Sequence, residues 1–417
     1  MSNKNRVPNI RFMGFKGEWA EKKFINCLAK IIDFRGKTPK KLGLSWSNNG
    51  KYRALSALNV KNGFIDKNID VHFGNYDLYK KWMGNTELEK GDILFTTEAP
   101  VGNIAIIKDD EKYILSQRTI AFRVDEKNIN GPFLLYKLNT VSTKNKLMSL
   151  STGGTAQGIS QKNLSYLFIS VSNDLNEQQK IGDFFTKLDK LLDLQQQKID
   201  KLELLKKALL QKLFPKHDTK IPELRYREFE DNWIIYSFSG LLIKNSSKNK
   251  NLEVENIESI SNKNGFTKQS EQFDGYRVAS LDLSNYYVIK GNQFAYNPSR
   301  INVGSIAYKR KGEEDSIISP LYVSFSTKNN INDTFLWYWF RTSSFKKQRI
   351  QFSEGGVRDT LPFENLKKMR IKLPRLNEQQ KIGNLLSKVD QLIELENKKL
   401  QNFQQVKKCL LKNMFVE

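Results

Sequence analysis

The sequence predicts an α/β (α+β) protein built as an internal duplication: two similar mixed α/β domains separated by two long helices, the helices forming an antiparallel coiled coil with pseudo-twofold symmetry. Three observations carry this. The octapeptide LNEQQKIG occurs at Leu175–Gly182 and again at Leu376–Gly383, a recurrence that chance does not produce in 417 residues and that marks a repeat. Each copy opens a stretch of helical apolar period. Each stretch also follows a segment of roughly 150 residues rich in strand formers and broken by Gly and Pro.

Taken in chain order, the first domain spans 1–174 and the first long helix 175–216. The second domain spans 217–375 and the second helix 376–417. The domains begin alike. Val7-Pro8-Asn9-Ile10-Arg11-Phe12, followed by Phe15 and Trp19, parallels Ile221-Pro222-Glu223-Leu224-Arg225-Tyr226, followed by Phe229 and Trp233. Their interiors correspond only loosely, as in Lys90–Ile107 against Lys290–Tyr308 and Ser151–Ser160 against Ser353–Pro362. The helical stretches stayed alike while the domains diverged. The helices therefore do one job twice, and the domains do different jobs.

The helix pair aligns without a gap from Leu175 to Phe214 and from Leu376 to Phe415. Apolar residues recur three and four apart at Ile181, Phe184, Leu188 and Leu191, then Ile199, Leu202, Leu205 and Leu209. The second stretch shows Ile382, Leu385, Val389 and Leu392, then Leu400, Phe403, Val406 and Leu410. At 1.5 Å per residue, such a helix is about 55–60 Å long. One apolar stripe on so long a helix has little to cover it. Two equivalent stripes in one chain can cover each other as a coiled coil. These stripe residues are also the expected docking surface for a partner.

A formal charge of +23, with 45 acidic residues still present, attracts polyanions, nucleic acid foremost. Two cysteines, Cys27 and Cys409, exclude a disulfide framework. The N-terminal MSNKNRVPNIRF lacks the apolar stretch of a signal peptide, and no apolar run is long enough to cross a bilayer. The expected location is the cytoplasm, with no membrane partner.

Catalytic motifs fail one by one. Gly36-Lys37-Thr38 ends like a phosphate-binding loop, but Ile31 stands where that loop needs glycine. Asn297-Pro298-Ser299-Arg300 approaches an amino-methyltransferase motif but lacks its second Pro and aromatic residue. With only His72 and His217, a histidine metal site or triad is excluded. Glu364 with Lys367 could be forced into a nuclease role, yet a spacing of three is ordinary for surface partners on a helix. No catalytic residue, metal site or cofactor site is expected.

What remains is a set of polar and basic loops. Phe34–Lys41 gathers Arg35, Lys37, Thr38, Lys40 and Lys41 around a Gly and a Pro. Gln117, Arg118, Thr155 and Gln157 complete the first-domain candidates, and Asn297, Arg300, Asn302, Arg310 and Arg358 those of the second. Arg suits phosphates and guanine edges, and Asn and Gln suit adenine edges.

With the two Leu-Asn-Glu-Gln-Gln-Lys-Ile helix openings, the Arg35-Gly36-Lys37-Thr38-Pro39 loop, Gly91–Leu94, Val101–Ala105 and Ser319–Val323, the chain resembles the specificity (S) subunits of type I restriction–modification enzymes over essentially its whole length. The resemblance implies that each domain is a target recognition domain reading half of a split sequence in double-stranded DNA. It further implies that the helices pair antiparallel as a spacer and that two methyltransferase subunits dock on the chain. Motor-nuclease subunits would complete the complex, and S-adenosylmethionine, ATP and Mg would belong to those partners alone. One departure is that the Pro commonly preceding Leu-Asn-Glu-Gln-Gln is present as Pro374 but replaced by Ser172-Asn173-Asp174 in the first copy. Two other classes fit the residues: a stand-alone bipartite DNA-binding regulator, and an enzyme acting through carboxylates such as Glu364.

Overall fold

Short runs of β-branched and aromatic residues, punctuated by glycines at positive φ such as Gly91 and Gly102, form the strands of this computed structural model, which describes residues 6–153, 157–216, 218–262, 265–269, 282–355 and 359–417. The chain divides into two compact units. One comprises Met1–Gln196 with Lys398–Glu417, the other Gln197–Asn397. Each long helix is thus shared between the units, so compactness does not follow the sequence division into domain and helix.

In the first unit the elements run β1 (Ala20–Lys23), β2 (Leu28–Asp33), β3 (Tyr52–Leu55), β4 (Phe73–Gly74), α1 (Tyr76–Met83), β5 (Ile93–Thr96), β6 (Ile104–Ile106), β7 (Tyr113–Leu115) and β8 (Thr119–Val124). Then follow α2 (Gly131–Leu138), α3 (Val141–Ser149), α4 (Gln161–Leu164), β9 (Phe168–Val171) and the long α5 (Leu175–Lys212). The central sheet is antiparallel in the order β2-β8-β5-β6. Strands β4-β3-β7 form a second sheet, with β3 parallel to β7, and β1 pairs β9 beside the helix entry. Asn75, Asn130 and Thr140 cap α1, α2 and α3 by accepting a main-chain N–H of the first turn, and Pro132 opens α2 where its missing N–H costs nothing. One core joins the central sheet, α2 and α5 around Trp19, Phe133 and Phe185. A second lies under the outer lobe around Trp82.

The second unit repeats the plan. Its strands are β10 (Ile234–Ser237), β11 (Leu242–Lys244), β12 (Glu258–Ser261), β13 (Gly265–Lys268), β14 (Tyr287–Ile289), β15 (Gln293–Tyr296), β16 (Ile306–Lys309), β17 (Ser316–Ile318), β18 (Val323–Thr327) and β19 (Arg370–Leu373). Its helices are α6 (Asp333–Trp339), α7 (Ser343–Phe352), α8 (Phe363–Lys368) and the long α9 (Leu376–Asn413). The central sheet, β11-β18-β15-β16, has the same order as its counterpart, and β10 pairs β19 as β1 pairs β9. The outer lobe differs, with β12 paired to β13 and β14 to β17.

Both long helices run 38 residues. Along α5 and just past its end, one row of buried and half-buried positions runs through Ile181, Phe185, Leu188, Leu192, Gln195, Ile199, Leu202, Lys206, Leu209 and Leu213, an unbroken alternation of four and three. The corresponding positions of α9 run from Ile382 through Leu386, Val389, Ile393, Glu396, Leu400, Phe403, Lys407 and Leu410 to Met414. That is a heptad seam. It corrects the expected stripe: Leu191, Leu205, Leu392 and Val406 are 42%, 47%, 40% and 50% exposed. Each lies one residue, or 100° of helix, beside the seam or off its opposite edge. Phe184 and Leu385 are half-buried against the domain cores.

Each unit pairs the helices antiparallel. In the first, Phe185 packs on Phe415 and Asp189 holds Lys407. In the second, Lys198 meets Glu396 and Lys206 meets Asp390, both at 2.6 Å. Partner numbers fall as α5 numbers rise. The two seam lysines sit at equivalent positions. Their aspartates also accept the phenol O–H of Tyr136 and Tyr338, each at 2.8 Å, so each half-buried ammonium faces an anion.

Candidate nucleic-acid interface

The repeated octapeptide fixes the base on which the loops stand. Glu177 is buried and accepts two hydrogen bonds from Arg11 at 2.6 and 2.8 Å, and Glu378 accepts two from Arg225 at 2.8 Å. Such bidentate pairs are the strong ones, and each carboxylate raises the pKa of its arginine through the hydrogen bond it accepts. Gln178 accepts the N–H of Asn130 at 2.8 Å and donates to the Ser172 carbonyl at 2.7 Å. Gln379 treats Asn332 and Pro374 likewise, at 2.8 and 2.9 Å. The missing proline of the first copy therefore only moves the accepting carbonyl by one residue. Gln179 and Gln380 bond the side chains of the same two asparagines, which cap α2 and α6. Gly182 is obligatory for close approach: a Cβ there would lie 2.6 Å from Asn130 Oδ1 and 2.9 Å from the Phe133 nitrogen. The eight residues recur because each copy bolts its domain to its helix by the same bonds.

Above the first base, four loops distant in sequence meet. Gln117 Nε2 donates to the Lys37 carbonyl at 3.4 Å, and Lys37 Nζ to the Trp82 carbonyl at 2.5 Å. Glu98 lies 3.7 Å from Arg118 and bridges Gly158, next to the exposed Gln157. Gln161 Nε2 donates to Asp33 at 2.7 Å. Lys40 is exposed, while Lys41 turns back to the Gly36 carbonyl at 2.9 Å, and the Thr38 hydroxyl accepts the Lys41 N–H at 3.3 Å. Arg35, expected as a free cation, is chelated by Asp33 at 2.5–3.0 Å. Burial pushes the Asp33 carboxyl up, but hydrogen bonds from Arg35 and Gln161 outweigh it and hold it below its ordinary value. The acid two residues earlier was the signal that Arg35 has a structural partner. Thr155 lies outside the described residues.

In the second unit Asn297 Oδ1 accepts the Ser299 N–H at 3.0 Å, which shapes the loop carrying the exposed Arg300 and Asn302. Leu361 N–H donates to the Pro298 carbonyl at 3.1 Å, as Ile159 does to Thr97 at 2.9 Å in the first unit. Arg358 lies outside the described residues. Arg310 does not join this cluster. The β15–β16 register pairs Tyr296 with Ile306 at the loop end and Gln293 with Lys309 at the other, so Arg310 stands about 13 Å away along the hairpin.

Sequence reasoning missed one feature. The turn between β7 and β8, Ser116–Arg118, has its counterpart between β17 and β18 in Ser319–Tyr322, where Leu321 is 80% exposed. An apolar residue after a proline inside a turn was the available signal. Among the described residues no group of three or more His, Cys, Asp or Glu side chains could hold a metal, and no helix is long and apolar enough to cross a membrane.

The sequence matches the type I restriction modification DNA specificity domain over residues 17–204 and again over 238–405. It is 24% identical over 369 residues to a provisionally named MjaX specificity subunit of a type I restriction enzyme from Methanocaldococcus jannaschii, covering 83% of each chain. It is 23% identical over 415 residues to the MjaVIII specificity subunit of the same organism, covering 92% of this chain and 90% of that one. The fold matches the crystal structure of the S subunit of a type I restriction–modification system from M. genitalium with a TM-score of 0.62, over 99% of both chains at 16% identity. With the match repeated once on each half and the two junctions built alike, the chain belongs to the family of type I restriction–modification DNA specificity subunits.

Proposed function

We propose that each domain reads one half of a bipartite DNA target, that the helix pair sets the spacer between the halves, and that two methyltransferase subunits dock on the helices. The working division is 1–174 and 217–375 for the reading domains, 175–216 and 376–417 for the helices. Motor-nuclease subunits complete the restriction complex, and S-adenosylmethionine, ATP and Mg act in those partners. The observation that supports this best is the contrast between two junctions that share the Arg–Glu, Gln–Asn and Tyr–Asp bonds and two outer lobes that differ. Lys40, Gln117, Arg118 and Gln157 in the first domain, with Arg300 and Asn302 in the second, are the DNA-facing side chains. Arg35, Lys37, Lys41 and Asn297 shape the loops that carry them.

The test is methylation-sensitive sequencing of cells expressing this chain with its methyltransferase. The reading predicts one two-part motif that disappears when this chain is deleted. A continuous motif, or one that survives the deletion, contradicts it. Binding by the chain alone should weaken steeply with salt, because lysine and arginine displace condensed counterions.

A further inference from the structure

Among the described residues, five other than glycine have positive φ: Asp70, Ala99, Arg118, Leu252 and Asn292. Three of them, Asp70, Ala99 and Arg118, line a single cavity of about 300 Å³ walled by Trp46, Trp82 and His72. Asp70 is held there by the Ser56 hydroxyl and lies 3.2 Å from His72 Nε2, while Trp46 stacks on His72. A left-handed backbone at a bulky residue persists only where its surroundings impose it, and such residues gather at functional sites. Here the Arg118 carbonyl accepts the Thr97 N–H at 2.9 Å. The side chains of Gln117 and Arg118 are left exposed at the cavity mouth, with Arg118 facing only the half-exposed Glu98 at 3.7 Å. The pair is held in place by its backbone, and its exposed side chains make only long contacts, Gln117 to the Lys37 carbonyl at 3.4 Å and Arg118 to Glu98 at 3.7 Å, which a DNA base can replace.

The equivalent turn of the second unit is built otherwise. Tyr322 N–H donates to the Ser319 carbonyl at 3.0 Å and Leu321 N–H to the Ser319 hydroxyl at 3.3 Å. Pro320 takes the second turn position, which its fixed φ favours, and Leu321 is carried outward. The two turns enter the same strand of topologically identical sheets. One offers an amide and a guanidinium, the other a branched hydrocarbon.

We propose that these equivalent turns are the paired base-reading elements of the two domains. Gln117 and Arg118 grip a purine edge in the first half-site, and Leu321 covers a thymine methyl in the second. The chemistry is that of the major groove, where Arg and Gln bond guanine and adenine and an apolar group marks the thymine methyl. The proposal rests on the half-site reading above.

The test expresses the chain with its methyltransferase and maps the modified motif for Arg118→Gly and for Leu321→Ser. Glycine accepts the left-handed turn and Leu321 is a surface side chain, so both variants keep the fold, as a melting curve verifies. Arg118→Gly should relax one purine position in one half-site, raising modification of the mismatched site about tenfold or more. Leu321→Ser should relax a thymine position in the other half-site. Uracil in place of that thymine should reproduce the loss with the unaltered chain. If the unaltered chain gives no two-part motif, the half-site reading itself fails. If it gives one that both folded variants preserve, or if Arg118→Gly alters the half-site that Leu321→Ser alters, the assignment of the turns is overturned.

Discussion

Between β2 and β5 the first unit places β3, β4 and α1, and β7, which follows β6, joins them in a lobe with Trp82 at its centre and a parallel pairing of β3 on β7. Between β11 and β15 the second unit places β12 to β14, with the small apolar cluster of Ile260, Ile289 and Ile318 and the ion pair of Lys309 with Glu258 at 2.7 Å. At the junctions, by contrast, Arg11–Glu177 and Arg225–Glu378, Gln178–Asn130 and Gln379–Asn332, and Tyr136–Asp189 and Tyr338–Asp390 recur as the same bonds. The lobes changed their chemistry while the mountings did not. A helix seam shared by two domains tolerates little change, because each side chain at the junction satisfies a buried partner whose orphaning is costly.

The largest effect should come from the ring clusters that close each unit. Phe415 packs on Trp19, Phe133 and Phe185, and Phe214 on Trp233 and Phe335. Phe415→Ala should cost the first unit about 3–5 kcal/mol, and Phe214→Ala the second unit the same. Denaturation followed by tryptophan fluorescence checks this. Equal losses support equivalent mountings, and a loss confined to one variant breaks the equivalence.

The two octapeptide glycines sharpen the comparison. A Cβ at Gly182 meets the Phe133 nitrogen at 2.9 Å, whereas at Gly383 it meets the Phe335 nitrogen at 3.1 Å. Overpacking costs about 1–3 kcal/mol, and alanine in a helix returns about 1 kcal/mol. Gly182→Ala should therefore destabilise by up to about 2 kcal/mol and Gly383→Ala by less, as read from urea midpoints.

A smaller difference lies at Lys137, buried in α2 and donating to the Val416 carbonyl at 2.5 Å, where the second unit has Trp339. Burial lowers the Lys137 pKa from 10.5 to about 8. Between those values the unfolded chain binds a proton that the folded chain does not, so stability rises as pH climbs from about 8 to 10.5. Lys137→Met should stabilise the first unit by about 1–2 kcal/mol at pH 7 and abolish that rise. A melting series across pH 7–10.5 checks both.

The duplication, both long helices and their mutual cover were legible because they rest on identity and period, and the antiparallel sense came from the family resemblance. The exact seam was not. Phe184 stands beside Phe185, Leu191 beside Leu192 and Leu385 beside Leu386, so the sequence offers two stripes, and only packing against the partner helix selects one. Of the loop residues, proximity emerged where strands that are distant in sequence pair, as with Gln117 and Lys37. The chelation of Arg35 and the separation of Arg310 follow from strand ends and hairpin register, which composition does not encode.

The central claim is that the helices space the two reading domains without reading bases themselves. Inserting four residues between Gln196 and Gln197, with a matching insertion between Asn397 and Lys398, adds about 6 Å to each helix as a stutter that the seam absorbs by local unwinding. The account predicts a modified motif whose two halves are unchanged and whose spacer is longer by one or two base pairs, at roughly 3.4 Å each. A folded, active variant that keeps the original spacer, or one whose half-sites change, would contradict it.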